Sequence, residues 1–268
     1  MVNFLHISDL HISLRIDGAK NENSTPPVLL KSIINLANTL KPEPSFIIFS
    51  GDLTDKGDTE SYEYFKTVIS KSKIPNLLAI GNHDDRSNFR NVFYKSPSNK
   101  PFFYASEHDG IKVIVLDTSQ PGKVSGSICE DQFSFLEETL SSSNDDRKIL
   151  VLHHPPWLDR NGLPWTTLDE KTSCRLAKLS NDKGILGILC GHIHLNQFTS
   201  WNNIPLVTSS GLQTTVDAFE SEDLRLLEAA SLNLCKLRGK NLSVTCLQIY
   251  PTGREIRRVS KKFLLSMT

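Results

Sequence analysis

Six short apolar runs punctuate the first two thirds of the chain: 2–8, 46–50, 76–80, 112–116, 149–153 and 185–190. Each is too short for a helix and reads as a buried strand. Between them, apolar residues recur at helical spacing. Thr25 is placed to cap a helix with Pro26 in its first turn, and Leu29, Ile33, Leu36, Ala37 and Leu40 then fall on one face. Segments 60–70 and 130–143 behave likewise. Strands alternating with helices predict an α/β layered fold. The pattern then changes. Segments 197–201, 205–209, 243–250 and 255–261 read as strands joined by short turns, with YPTGRE at 250–255 as a hairpin turn. These predict a second, mixed and partly antiparallel sheet. Segment 217–240 is helical in spacing but charged, and is expected to interrupt that sheet as a lid or a dimer contact. Segment 158–167, near Trp157 and Trp165, reads as a loop.

The polar residues gather where the apolar runs stop. Asp9-Leu-His11 follows the first, Gly51-Asp52-Leu-Thr-Asp55 the second, and Gly81-Asn82-His83-Asp84-Asp85 the third. His153-His154-Pro155-Pro156 and Gly191-His192-Ile-His194 end two later runs. Six of the eight histidines therefore sit directly behind apolar runs. In an open α/β sheet, ligands bind outside the carboxyl ends of the strands. If these strands are neighbours, the five loops converge. Asp-x-His and His-x-His put two side chains on one side of an extended segment, because side chains alternate with period two.

The donors are carboxylates, an amide oxygen and imidazoles, without thiolate. That set suits Mn, Fe, Zn or Co. Asp9, His11, Asp52, Asn82, His153 (or His154), His192 and His194 make seven candidates. They are too many for one four-coordinate ion and enough for two if a carboxylate bridges. Two ions about 3.5–4 Å apart, with an ionised solvent between them, are the arrangement used for phosphoester hydrolysis.

Composition narrows the partners. Thirty basic residues balance thirty acidic ones, so no global basic field favours a nucleic acid. The length of 268 residues and the 38% hydrophobic content suit one domain. No run approaches the roughly 18 apolar residues of a membrane span. The first residues lack a basic start and a cleavage site, and five scattered cysteines form no CxxC pair. Reduced thiols in the cytoplasm are the expectation. Cys190 reads as a small buried hydrophobe, and His6 and His108 as ordinary residues, the first inside a strand and the second in a polar loop.

The ordered set DLH, GDLTD, GNHD, HHPP and GHIH, spanning residues 9–194, resembles the calcineurin-like metallophosphoesterase superfamily. Each motif alone is weak; five in order are specific. GNHDDR is similar to the class III cyclic nucleotide phosphodiesterases and their glycerophosphodiesterase relatives. The resemblance implies a four-layer α/β/β/α sandwich of two mixed sheets over nearly the whole chain, 1–268. It also implies a small phosphodiester as substrate, attacked by a metal-bridging hydroxide. Asp9, His11 and His194 would hold one metal, Asn82, His153 and His192 the other, and Asp52 would bridge. His83 would face the substrate phosphate, protonating the leaving oxygen or stabilising its charge.

Other residues carry weaker expectations. Asp84 is placed to orient His83 as a competent acid. Asp55 is read as fixing its loop or hydrogen-bonding a ligand. Arg86 either contacts a phosphate or is solvated, and Asp85 begins the next helix, where negative charge is favourable. Trp157 and Trp165 either stack a base or pack their loop, and packing is preferred. The basic 254–262 tail reads as an edge strand's solvated face. The metal core alone leaves open a monoesterase or protein Ser/Thr phosphatase, a nuclease, and a non-catalytic scaffold of the same fold. A scaffold would be expected to lack ligands, and none is missing here.

Overall fold

The computed structural model describes residues 1–16, 19–20, 25–141, 147–158, 166–219 and 224–249. Two large sheets lie face to face. The first contains β1 (Val2–Ile7), β4 (Ile47–Ser50) and β5 (Asn76–Ala79) in parallel, extended antiparallel from β1 by β14 (Ser231–Arg238) and β15 (Asn241–Gln248). The second contains β7 (Ile111–Val115), β8 (Lys148–Val151), β9 (Ile185–Cys190) and β11 (Ile204–Thr208) in parallel, with antiparallel β6 (Tyr104–His108) and β10 (Gln197–Trp201) at its edges. A small hairpin, β2 (Arg15–Ile16) with β3 (Ala19–Lys20), follows the first loop. A ribbon of β12 (Thr214–Val216) and β13 (Leu226–Glu228) stands apart from both sheets.

Period-two alternation explains the layers. In β1, Leu5 and Ile7 face a core shared with α1 (Thr25–Ala37), α2 (Thr59–Ile69) and α3 (Arg86–Tyr94). Phe4 faces the opposite way, into a core between the sheets with Ile48, Val113, Ile149 and Val151. In the second sheet, Ile114, Leu150 and Ile188 turn outward onto α4 (Glu130–Ser141) and α5 (Glu170–Ser180). These three apolar seams separate four layers, α/β/β/α. Strands buried on both faces are why the runs looked continuously apolar.

Several expectations change. The later strands do not form a sheet of their own. β10 and β11 complete the second sheet, while β14 and β15 join the first beside β1. Segment 217–240 is not helical among its described residues. Its Ser231–Arg238 stretch is a strand that buries side chains on both faces, Leu232 on the helix side and Cys235 and Leu237 between the sheets, as suits its place one strand in from the sheet edge. On α1 the buried stripe is Pro26, Pro27, Leu30, Ile33, Ile34 and Ala37, so Leu36 is exposed. His108 ends β6, with its ring 5.5 Å from that of Phe46, instead of sitting in a loop. The strand expected at 255–261, the 250–255 turn, the basic tail and Trp165 lie outside the described residues. All five cysteines are unpaired, and Cys190 is buried. No helix among the described residues is long and apolar enough to cross a membrane.

Candidate metal centre

The five polar loops meet at the carboxyl ends of strands from both sheets. β1, β4 and β5 supply Asp9, His11, Asp52, Asn82 and His83 from one sheet; β8 and β9 supply His153, His192 and His194 from the other. The backbone stitches the ends together. The His192 amide donates to both Asp9 carboxylate oxygens at 3.0 Å, and the His153 imidazole donates from Nδ1 to the Ser50 carbonyl at 3.0 Å. Close approach demands glycine at the crossings. A Cβ on Gly81 would collide with the Asp52 carboxylate and backbone, and one on Gly191 with Ser8 and Asp9.

The pairs Asp9/His11 and His192/His194 converge, but not as an extended pleat. All four residues, and Asp52, have left-handed backbone, with φ between 45° and 70°. Such conformations cost non-glycine residues about 1–3 kcal/mol each and persist where surrounding bonds enforce them. Here the His11 amide donates to the Asp52 carbonyl at 3.0 Å, and the Leu212 amide to the Asp9 carbonyl at 3.1 Å. The strained turns, not side-chain alternation, aim each pair inward.

Donor atoms crowd the centre. His11 Nε2 lies 3.1 Å from His194 Nε2, and His194 Nε2 lies 3.4 Å from Asp9 Oδ1. Asp52 Oδ2 stands 3.2 Å from His153 Nε2 and 3.7 Å from His11 Nε2. Donors of Asp9, His11 and His194 lie within 4.8 Å of one another, as do those of Asp9, Asp52 and His153. Three buried atoms in this region have no hydrogen-bond partner of good geometry: Ser8 Oγ, Asn82 Oδ1 and His153 Nε2. Burial opposes a charge on His153, yet Asp52, with Asp9 behind it, raises its pKa to about 9. Concentrated carboxylate charge and the unpartnered Asn82 oxygen are what a cation would satisfy, and a cation there would displace the proton that Asp52 draws onto His153. The residues therefore fit a metal centre.

The comparisons agree with this geometry. The calcineurin-like phosphoesterase profile matches residues 2–196. The chain belongs to the calcineurin-like phosphoesterase family. It is 30% identical over 213 residues to a probable glycerophosphodiester phosphodiesterase of Arcobacter nitrofigilis, covering 77% of each chain. It is 31% identical over 221 residues to a cAMP/cGMP dual specificity phosphodiesterase of Mycobacterium tuberculosis, covering 80% of this chain and 68% of that one. A dimetal phosphatase from Danio rerio shares the fold, with a TM-score of 0.62 at 13% identity, covering 91% of this chain and 98% of that one. This phosphoesterase is thus a hydrolase of a family that depends on two metal ions.

The family assignment leaves individual roles to the geometry. His154 lies within ligand distance of His153 and His192, but both of its nitrogens are engaged. Thr118 Oγ1 donates to Nδ1 at 2.7 Å and Nε2 donates to the Val124 carbonyl at 2.9 Å, so His154 offers no lone pair. His83 presents its ring to the cleft, 42% exposed, with Nδ1 2.9 Å from the Asp55 carbonyl. Its amide donates to Asp52 Oδ1 at 2.9 Å.

Asp84 does not orient His83. Its buried carboxylate accepts from the amides of Leu53, Thr54 and Gly81 and from the hydroxyls of Thr54 and Tyr62. It clamps two site loops together and faces away from the cleft; Asp55 is the residue beside His83. Arg86 neither contacts the site nor is solvated. It is half-buried, pairs with Asp117 at 2.7 Å and donates to the Ser119 carbonyl at 2.7 Å. Asp85 caps α3 by accepting from the Asn88 amide at 2.7 Å. Trp157 is half-buried against α5, its amide donating to Ser173 Oγ at 2.9 Å. Two supports escaped the sequence reading. Thr214 Oγ1, on the ribbon, lies 2.8 Å from His194 Nδ1, and Ser50 holds His153. Neither residue type carries a motif signal.

Proposed function

We propose that this phosphoesterase hydrolyses small phosphodiesters of the cyclic nucleotide or glycerophosphodiester kind, using Mn, Fe, Zn or Co ions. In this reading Asp9, His11 and His194 would hold one ion, Asn82, His153 and His192 the other, and Asp52 would serve both. Bound cations supply neutralisation of the phosphoryl oxygens and activation of water. The chain's own groups do the rest. Ser50 and Thr214 fix the imidazoles so that Nε2 of each faces the centre. His83, anchored through Nδ1, lines the cleft and is placed to hand a proton to the leaving oxygen. The single observation that carries the diester over the monoester is the charge of the cleft. Among the described residues its lining has no lysine or arginine, and Arg86 is committed to Asp117. A monoester dianion calls for such a cationic clamp; a diester carries one charge.

The test is hydrolysis of bis-p-nitrophenyl phosphate against p-nitrophenyl phosphate, with bound metal quantified in the same sample. Faster diester turnover is expected. Inactivity on diesters at full metal occupancy overturns the reading.

A further inference from the structure

The cleft of about 650 Å³ beside the metal donors has two chemistries. Its floor is the ligand cluster. Much of its wall is aliphatic, with Val124, Ile193, Leu195, Val216, Leu224 and Leu226 set among threonine and glutamine side chains. Ile193 sits in the chain between two candidate ligands, His192 and His194. Val216 and Leu226 are cross-strand partners on the ribbon whose Thr214 steadies His194. The apolar surface therefore begins at the metal centre itself. Leu224 and Leu226 remain 58% and 52% exposed at the mouth, and Val124 is 51% exposed. Exposed aliphatic side chains grouped at a concave site mark a surface that a ligand covers. Among the described residues the lining holds no Phe, Tyr or Trp.

We infer that the substrate is a singly charged phosphodiester with one aliphatic ester arm, seated on the ribbon leucines and the Ile193–Leu195 turn. This rests on the diesterase reading above and names which diester the site takes.

The experiment uses the full chain loaded with Mn²⁺ and a series of methyl, butyl and octyl p-nitrophenyl phosphates. Each buried methylene contributes enough to raise kcat/KM about two- to fourfold, so the rate should climb along the series. Leu224→Ser and Leu226→Ser, both at exposed positions, should flatten that climb. Phe198→Ser, exposed outside this cleft, should leave the slope as it is. A flat series with the methyl ester hydrolysed overturns the aliphatic arm and leaves the diesterase reading standing. So does faster turnover of 3′,5′-cyclic AMP than of the octyl ester. Binding separates the two ideas if turnover is absent. Calorimetric titration with octyl methyl phosphate and dimethyl phosphate, both slow to hydrolyse, should favour the octyl compound at least 100-fold. Equal affinities sink the inference whatever becomes of the chemistry.

Discussion

In the proposed centre two groups of donors share Asp52, and the protein holds their imidazoles in different ways. The imidazoles of His153 and His192 are 0% and 7% exposed. His153 is steered by the carbonyl of Ser50, the last residue of a central strand, and Ser50 Oγ in turn accepts from buried His6 at 2.8 Å. The side chains of His11 and His194 are 13% and 17% exposed. Their supports are peripheral. Asp55, 39% exposed, lies 3.6 Å from His11 Nδ1, and Thr214 of the ribbon holds His194. The His153 and His192 imidazoles are built into the core and the His11 and His194 imidazoles are propped from the surface, although Asp9 beside the second pair is itself buried. The inner group should be coupled to folding, and the outer group should trade metal and follow its surface supports.

The largest effect should come from His153→Ala. In metal-free protein it leaves Asp52 buried beside one fewer counter-charge, a loss of about 3–5 kcal/mol for breaking a buried pair. Urea denaturation of the chelated protein measures this, and metal analysis of the loaded protein should show less than half the wild-type content. His11→Ala should release one metal while leaving the urea midpoint nearly unchanged. Equal destabilisation by the two variants would erase the distinction between the groups.

His83→Ala isolates chemistry from either group. Both metals should remain, because its ring is aimed at the cleft and its amide bond to Asp52 survives the substitution. Turnover should fall about 10²–10⁴-fold, the range for a lost general acid. A variant that loses metal instead would place His83 among the ligands.

Most of the candidate site could be read before its structure, because each motif is an apolar run that stops at glycine or a charged residue. Five short strands ending in polar donors are a local signal. What escaped reading was non-local. Nothing in the apolar runs says that β1, β4 and β5 lie in one sheet and β8 and β9 in the other, since pairing is decided by distant strands such as β14 beside β1. The left-handed turns at Asp9, His11, Asp52, His192 and His194 were also hidden, because these residue types adopt them only when the fold enforces it. Asp84 misled for the same reason. Adjacency suggested a partner for His83, while its donors arrive from Leu53, Thr54, Tyr62 and Gly81. In 217–240, leucines spaced by three imitated a helix that pairing with β1 and β15 overrides.

Thr214→Val tests the outer support. It keeps the shape of the side chain and removes the hydroxyl 2.8 Å from His194 Nδ1, leaving only the Thr214 carbonyl at 3.3 Å. Loss of such a support typically weakens metal binding about 10–100-fold. The outer ion should therefore be lost at low Mn²⁺ and recovered at high Mn²⁺, with kcat largely restored. Metal titration monitored by activity and by direct metal content checks this. Failure of excess Mn²⁺ to restore turnover would mean that Thr214 does more than hold an imidazole.

The smallest effect concerns the core behind the inner group. Burial drives the His6 pKa from 6.5 down to about 3, against the opposing pull of Asp9. The folded ring stays neutral, donating to Ser50 Oγ and facing the Asn233 amide 3.4 Å away. In the unfolded chain it takes up a proton below pH 6.5. The folded state then binds fewer protons, so this contribution is constant above pH 6.5 and stability declines as pH falls from 6.5 toward 3. The slope is at most about 1.4 kcal/mol per pH unit. Comparing His6→Gln with the parent chain cancels the carboxylates that titrate in the same range. The variant's urea-derived stability should fall less steeply between pH 6.5 and 4. Parallel curves would show that the inner group is not tied to this buried ring, and that its greater coupling to folding must come from Asp52 alone.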